Sequence, residues 1–253
     1  MTMTKEAPAV ESAPRPPLHV GLYAEPHAGK STTAATFPPP IYVAFFDRPG
    51  KDLAYVKRWQ VMYGPLVATP GVDKQGTPFV DYVARKHLIG RIAKYATAVL
   101  SETDGVGRLM DFFPKLEKLV VPGGKWATFV GDSVSFMAYD ARKQSQYVDN
   151  PHFKHGMKHY GISTDMVEEL LCSLIPNLEG NTITLMHESK VTVEAEGSMV
   201  RSPAVPGKRL ASTNMVAATF PELYRLYVER DESGKKVRRL QTESDESYQA
   251  GTV

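Results

Sequence analysis

The chain has 253 residues, 42% of them hydrophobic, enough to bury one large α/β core and too few for two ordinary domains with long linkers. Its single cysteine, Cys172, excludes an intramolecular disulfide and fits a reducing compartment, so the cytoplasm is the expected location. A formal net charge of +2 excludes a strong overall field for nucleic acid, and no stretch approaches the roughly 20 apolar residues of a membrane helix or carries the apolar core of a signal peptide.

Residues 1–17 carry Pro, Ala, Thr and Glu without a hydrophobic period and are expected to form a disordered tail. Leu18 to Ala24 is an apolar run that reads as a strand. It ends at a glycine-containing loop and a helix start at Lys30-Ser31-Thr32-Thr33-Ala34-Ala35-Thr36. Pro38, Pro39 and Pro40 stop that helix. Ile41 to Phe46 follows as a second apolar run, suited to a strand covered on both faces and leading into Asp47. Apolar residues at three-and-four spacing predict helices over Asp81 to Leu100, Leu109 to Val120 and Ser163 to Leu178. Trp126 to Asp132, Thr182 to Glu188 and Glu222 to Glu229 read as further strands, and the alternation predicts a mostly parallel sheet flanked by helices. Leu223 to Arg230 and Lys236 to Thr242, joined through Asp231-Glu232-Ser233-Gly234, predict a C-terminal antiparallel hairpin. One domain is expected over residues 18–243, with a flexible tail over 244–253.

The loop after the first strand carries the clearest chemistry. Ala24-Glu25-Pro26-His27-Ala28-Gly29-Lys30-Ser31 has the spacing of the phosphate-binding loop G-x-x-x-x-G-K-[ST], with alanine at the first glycine. Such a loop aims backbone N–H groups and a helix start at phosphate oxygens and adds one mobile cation. Gly29 permits close approach, Lys30 reaches the β and γ phosphates, Ser31 ligates Mg2+, and Thr32 lies near the α-phosphate. A bare Gly-Lys-Ser/Thr triplet arises by chance in on the order of one chain in ten of this length, so its place between a strand and a helix start gives it meaning. In the empty loop Lys30 is expected to face solvent, so that Lys30→Ala spares the fold.

A second group must hold Mg2+, and Asp132 at the end of the Trp126 to Asp132 strand supplies a carboxylate. Capping of a following helix by Asp132 or Ser133 is the structural alternative, compatible with the first. Asp47 sits where a water-activating carboxylate belongs, or serves as a turn former before Arg48-Pro49-Gly50. Asp47 to Gly50 imitates the D-x-x-G of GTPases, but only 16 positions separate Ser31 from Asp47 and no Asn-Lys-x-Asp motif exists, which disfavours a GTPase. His152, His155 and His159 share helical spacing; without a nearby cysteine or fourth ligand they read as exposed polar residues rather than a zinc site.

These parts, in this order, resemble the RecA-like P-loop ATPases, most closely the phage-encoded ones associated with single-strand annealing and recombination. The resemblance spans Leu18 to Thr242. It rests on Gly21 to Ser31, the Asp47 strand end, Phe129-Val130-Gly131-Asp132-Ser133, Tyr160-Gly161, Thr184-Leu185-Met186-His187-Glu188 and Pro206-Gly207-Lys208. It implies a three-layer sandwich around a mostly parallel sheet, use of ATP with Mg2+, and a host cytoplasm as the setting. Lys30, Asp47, Asp132 and His187 would be catalytic, His187 sensing the γ-phosphate or else acting as a structural histidine. Glu25, Pro26, His27, Ala28, Gly29, Lys30, Ser31 and Thr32 would hold the nucleotide.

The resemblance further implies single-stranded DNA as partner, through loops spanning Asp140 to Tyr160 and Ser189 to Ser212. Arg142, Lys143, Lys154, Lys158, Arg201, Lys208 and Arg209 are the candidate DNA contacts, with an ordinary solvated surface as the alternative. Lys208 or Arg209 could instead reach a neighbour's nucleotide in a homo-oligomer, and a single-strand-binding protein is a further possible partner. Two other functions stay open: a nucleotide-gated DNA-binding or annealing module with little hydrolysis, and a small-molecule kinase.

Overall fold

The structure, a computed structural model, describes residues 16–46, 52–74, 76–95, 124–144, 157–193, 198–205, 219–243 and 251–252. In chain order the elements are β1 (His19–Ala24), α1 (Lys30–Ala34), β2 (Ile41–Phe45), α2 (Leu53–Tyr63), β3 (Val67–Val72), β4 (Pro78–Ala84), β5 (His87–Lys94), β6 (Thr128–Asp132), α3 (Val134–Gln144), α4 (Met157–Glu168), β7 (Asn181–Val193), β8 (Ser198–Pro203), β9 (Glu222–Arg230), β10 (Lys236–Gln241) and β11 (Gly251–Thr252). α4 runs on into a π-helical turn, Glu169–Leu174, and a short tighter turn, Ile175–Asn177.

One mixed sheet holds these strands in the order β10-β9-β1-β7-β6-β2-β5-β4-β3. From β9 to β5 every neighbouring pair is parallel, while β10, β4 and β3 extend the ends antiparallel; β8 pairs with β7 and β11 with β9 off this path. The expected α/β class with a mostly parallel sheet and a β9–β10 hairpin is therefore what the chain forms.

Both faces of the sheet are apolar because side chains alternate along each strand. On β2, Ile41, Val43 and Phe45 join Ala34 of α1 and Tyr55 and Trp59 of α2 in one buried cluster. Tyr42 and Ala44 point the other way, joining Met137 and Ala138 of α3 and Val167 of α4 in a second. Parallel strands pressed from both sides carry no polar register, which explains the near-continuous apolar runs in the sequence.

The segment expected as a helix from Asp81 is instead an antiparallel β-hairpin through Lys94, with β4 and β5 joined at Arg85 and Lys86. Those two residues take φ of 50° and 71°, the left-handed pair of a two-residue hairpin turn, without the Gly or Asn that usually marks it. Val80, Tyr82 and Ala84 alternate with Phe79, Asp81 and Val83, a period of two that also satisfies three-and-four spacing in so short a stretch. Helix α2 was not anticipated, since Lys57, Arg58 and Gln60 interrupt its stripe and only Tyr55 and Trp59 are buried. Leu109 to Val120 lies outside the described residues.

Two expected loops also carry regular structure. β7 continues to Val193 and pairs with β8, so the described part of Ser189 to Ser212 is largely a hairpin. Asp140 to Lys143 belong to α3 and Lys158 to Tyr160 to α4. Within the expected C-terminal tail, Gly251 and Thr252 pair with Leu223 and Glu222. Residues 1–15 lie outside the described set.

Candidate functional site

Parallel pairing brings the carboxyl ends of β1 and β6 beside the middle of β7, so His187 lies within that strand and not at its end. Ala24 of β1 is in register with His187 of β7, and Leu185 of β7 with Asp132 of β6. In open α/β sheets the crevice beyond the carboxyl ends of the strands is where ligands bind. Here the edge holds a cavity of about 250 Å³ lined by Pro26, His27, Gly29, Lys30, Ser31, Thr32, Asp132 and His187, with Ala54 and Arg238.

The loop's departure from the glycine pattern is harmless. Ala24 is the last residue of a regular strand, fully buried, and takes no positive φ. His27 and Gly29 make the turn instead, at φ of 65° and 109°. Helix α1 is short, five residues, and its first turn is tied by the Thr33 N–H to the Gly29 carbonyl at 2.9 Å.

Lys30 does not face solvent as expected. It is 8% exposed, and its ammonium turns back to donate to the carbonyls of Ala24 at 3.0 Å and Glu25 at 3.2 Å. A buried cation needs acceptors, and the loop's own carbonyls are the nearest. The loop thus closes around its cation.

Ser31 Oγ donates to Asp132 Oδ2 at 2.8 Å, joining residues 101 positions apart. The same Oδ2 accepts a bond from the Tyr55 hydroxyl at 2.9 Å. Asp132 is 4% exposed, so its charge sits inside the protein and rests on these donors. Burial, and then the neighbouring Asp132 charge, holds the Tyr55 hydroxyl well above the ordinary tyrosine range, so it stays a donor. A hydroxyl and a carboxylate at hydrogen-bond distance are hard oxygen ligands of the kind Mg2+ takes.

His187 lines the cavity, its ring edge-on to Phe136 with centroids 5.2 Å apart, and its backbone N–H donates to Ser135 Oγ at 3.0 Å. Next along β7, the Glu188 side chain is 3% exposed and accepts from Arg201 at 2.7 Å and Arg225 at 2.7 Å. Burial alone would raise the Glu188 pKa; the hydrogen bonds and charges of the two arginines outweigh it and hold the carboxyl below its ordinary value. Arg201 also bonds Glu25 of the loop at 2.9 Å, so β8 is tied to the loop through a single guanidinium. A second cavity, about 910 Å³, lies beside this network, lined among others by Glu25, Ala28, Arg201, Arg225, Tyr227 and Arg238.

The structure therefore brings together Lys30, Ser31, Thr32, Asp132 and His187. Asp47, Lys154, Lys208 and Arg209 lie outside the described residues. Lys143 and Lys158 fall within α3 and α4, and Arg142 lies with its guanidinium 5.2 Å from the Tyr139 ring centroid. His159 is buried rather than exposed, His152 and His155 lie outside the described residues, and among the described residues no three metal-ligating side chains cluster. No helix among them is long and apolar enough to cross a membrane.

Tyr55, Arg225 and Arg238 are participants the sequence did not single out, while Arg201, expected as a DNA contact, pairs with Glu188 and Glu25. For Arg238 a signal existed. Lys236 and Arg238 alternate on one face of a strand that the hairpin brings beside β9 and so beside β1.

No family model matches this sequence, and no curated protein matches it. Among solved structures, the crystal structure of the flagellar accessory protein FlaH from Methanocaldococcus jannaschii is similar over 89% of this chain and 78% of its own, at 9% identity and a TM-score of 0.39.

Proposed function

We propose that this chain is a RecA-like P-loop protein that binds ATP with Mg2+, hydrolyses it, and acts on single-stranded DNA in recombination or replication. The observation that carries the nucleotide part is the Ser31–Asp132 hydrogen bond at the mouth of a loop already folded around Lys30. A lysine followed by a serine that meets a strand-end carboxylate is the donor set a Mg2+-triphosphate needs: one cation for the β and γ oxygens, one hydroxyl and one carboxylate for the metal. Mg2+, when bound, neutralises charge on the phosphates. The chain's own residues would do the rest: Lys30, held here by the Ala24 and Glu25 carbonyls, would meet phosphate oxygens, Ser31 and Asp132 would hold Mg2+, and Tyr55 would keep the carboxylate oriented. His187, across from Ala24, stands within the same cavity as a polar group able to report on the terminal phosphate.

The DNA part rests on composition. Cations mix with Tyr147, Phe153 and Tyr160 across Asp140 to Tyr160 of the sequence, the blend that follows a phosphate backbone and stacks bases. Phosphate release measured with and without single-stranded DNA tests the reading. Release stimulated by DNA is expected; none in either condition leaves a nucleotide-gated binding module, and γ-phosphate transfer to a metabolite makes it a kinase.

A further inference from the structure

We propose that Arg238 supplies, from the same chain, the cation that recognises the terminal phosphates of a nucleoside triphosphate. This rests on the phosphate-loop reading and deepens it: it names the residue that separates triphosphate from diphosphate. The hairpin makes the placement. β10 pairs antiparallel with β9, and β9 lies parallel beside β1, so the exposed face of β10 stands over the loop that β1 feeds.

Arg238 Nε donates to the carbonyl of Ala28 at 2.9 Å. Its guanidinium lies so close to Gly29 that a Cβ there would meet Nε at 2.7 Å and Cδ at 3.2 Å. Gly29 also holds φ at 109°, a conformation that penalises a side chain. The glycine that opens the loop to phosphate therefore also seats the arginine.

A guanidinium carries five N–H donors in a fixed fork, and the Ala28 carbonyl engages only Nε among the described residues. Arg238 also lines the cavity that Lys30, Ser31, Asp132 and His187 line. Planar paired donors match phosphate oxygens, and charge-assisted bonds are about twice as strong as neutral ones. Lys30 donates to the carbonyls of Ala24 and Glu25, whereas Arg238 is held to the loop through Nε and lines the same cavity. The anchor on Ala28 fixes the arginine's reach to the loop itself, so its ligand is whatever the loop grips.

The experiment titrates the full-length protein, with Mg2+, against ADP and a slowly hydrolysed ATP analogue, for wild type, Arg238→Gln, Arg238→Lys and Lys30→Ala. Loss of one charge-assisted contact to the terminal phosphate predicts about tenfold or more weaker analogue binding for Arg238→Gln, with ADP affinity changed less than about threefold. Arg238→Lys, which keeps the charge and loses the fork, falls between. Mixing Arg238→Gln with Lys30→Ala restores no tight analogue sites, because each chain needs both cations.

Three results overturn the proposal. One is equal weakening of ADP and analogue in Arg238→Gln and Arg238→Lys. Another is wild-type affinity for both ligands in those variants. The third is recovery of tight sites on mixing, which places the cation on a neighbour. If Lys30→Ala loses both ligands while the Arg238 variants bind as wild type, the loop reading stands and this proposal alone fails. A wild-type protein that binds neither ligand removes both.

Discussion

The Tyr55 hydroxyl donates to Oδ2 of Asp132 at 2.9 Å from within the core, where Tyr55 is 0% exposed. A helix absent from the sequence reading thus braces the carboxylate on which the proposed metal site depends. Tyr55→Phe removes the donor and keeps the ring against Trp59, 5.7 Å away. A buried charge that loses one donor costs about 1–3 kcal/mol. Denaturant unfolding is expected to show a lower midpoint with an unchanged slope, and a midpoint equal to wild type means that Asp132 does not lean on Tyr55.

Asp132→Asn tests the carboxylate as metal partner. The amide stays near Ser31 and Tyr55 but carries no charge. In wild type, Mg2+ is expected to tighten ATP binding by at least about tenfold, equivalent to about 1.4 kcal/mol. In the variant that gain disappears, as calorimetric titration with and without Mg2+ reports.

Glu188 makes a pH prediction. Its folded pKa is lowered, so its contribution to stability is present above the unfolded carboxylate value, about 4.3, and is lost as pH falls through the lower folded value. Wild type is expected to exceed Glu188→Gln in melting temperature at neutral pH, and the gap to close on acidification below about pH 4. A gap that widens toward acid contradicts the sign.

Trp59 anchors the face of the sheet beneath α2. It is 0% exposed, packs 5.7 Å from Tyr82 centroid to centroid, and donates Nε1–H to the Ala35 carbonyl at 3.2 Å. Trp59→Ala leaves a large hole and is expected to cost about 3–5 kcal/mol in chemical unfolding. Val61, two residues on and 76% exposed, serves as the control: Val61→Ala should move stability by no more than about 0.5 kcal/mol.

What the sequence made legible was local. Strands buried on both faces announce themselves as apolar runs, so β1, β2, β6 and β9 were found at or near their bounds and β7 at its start, though it runs on to Val193. Lys30 and Ser31 stand next to each other in the chain, and Asp132 ends one of those runs. Elements that depend on distant partners were hidden. The β4–β5 turn at Arg85 and Lys86 lacks turn residues, and α2 hides Tyr55 among charges. The burial of Lys30 arises from carbonyls that only the folded loop presents, and Arg238, 208 positions after Lys30, reaches the site only because β10 folds back on β9, which lies beside β1.

The central claim is that the loop from Ala24 to Ser31 grips a triphosphate through Lys30. Calorimetric titration of ATP with Mg2+ into wild type and Lys30→Met, a variant that keeps the length of the stem and removes the charge, tests it most directly. The account predicts a single site in wild type and a loss of affinity of about a hundredfold or more in the variant, with both proteins melting cooperatively. Equal affinity in the two proteins would contradict it.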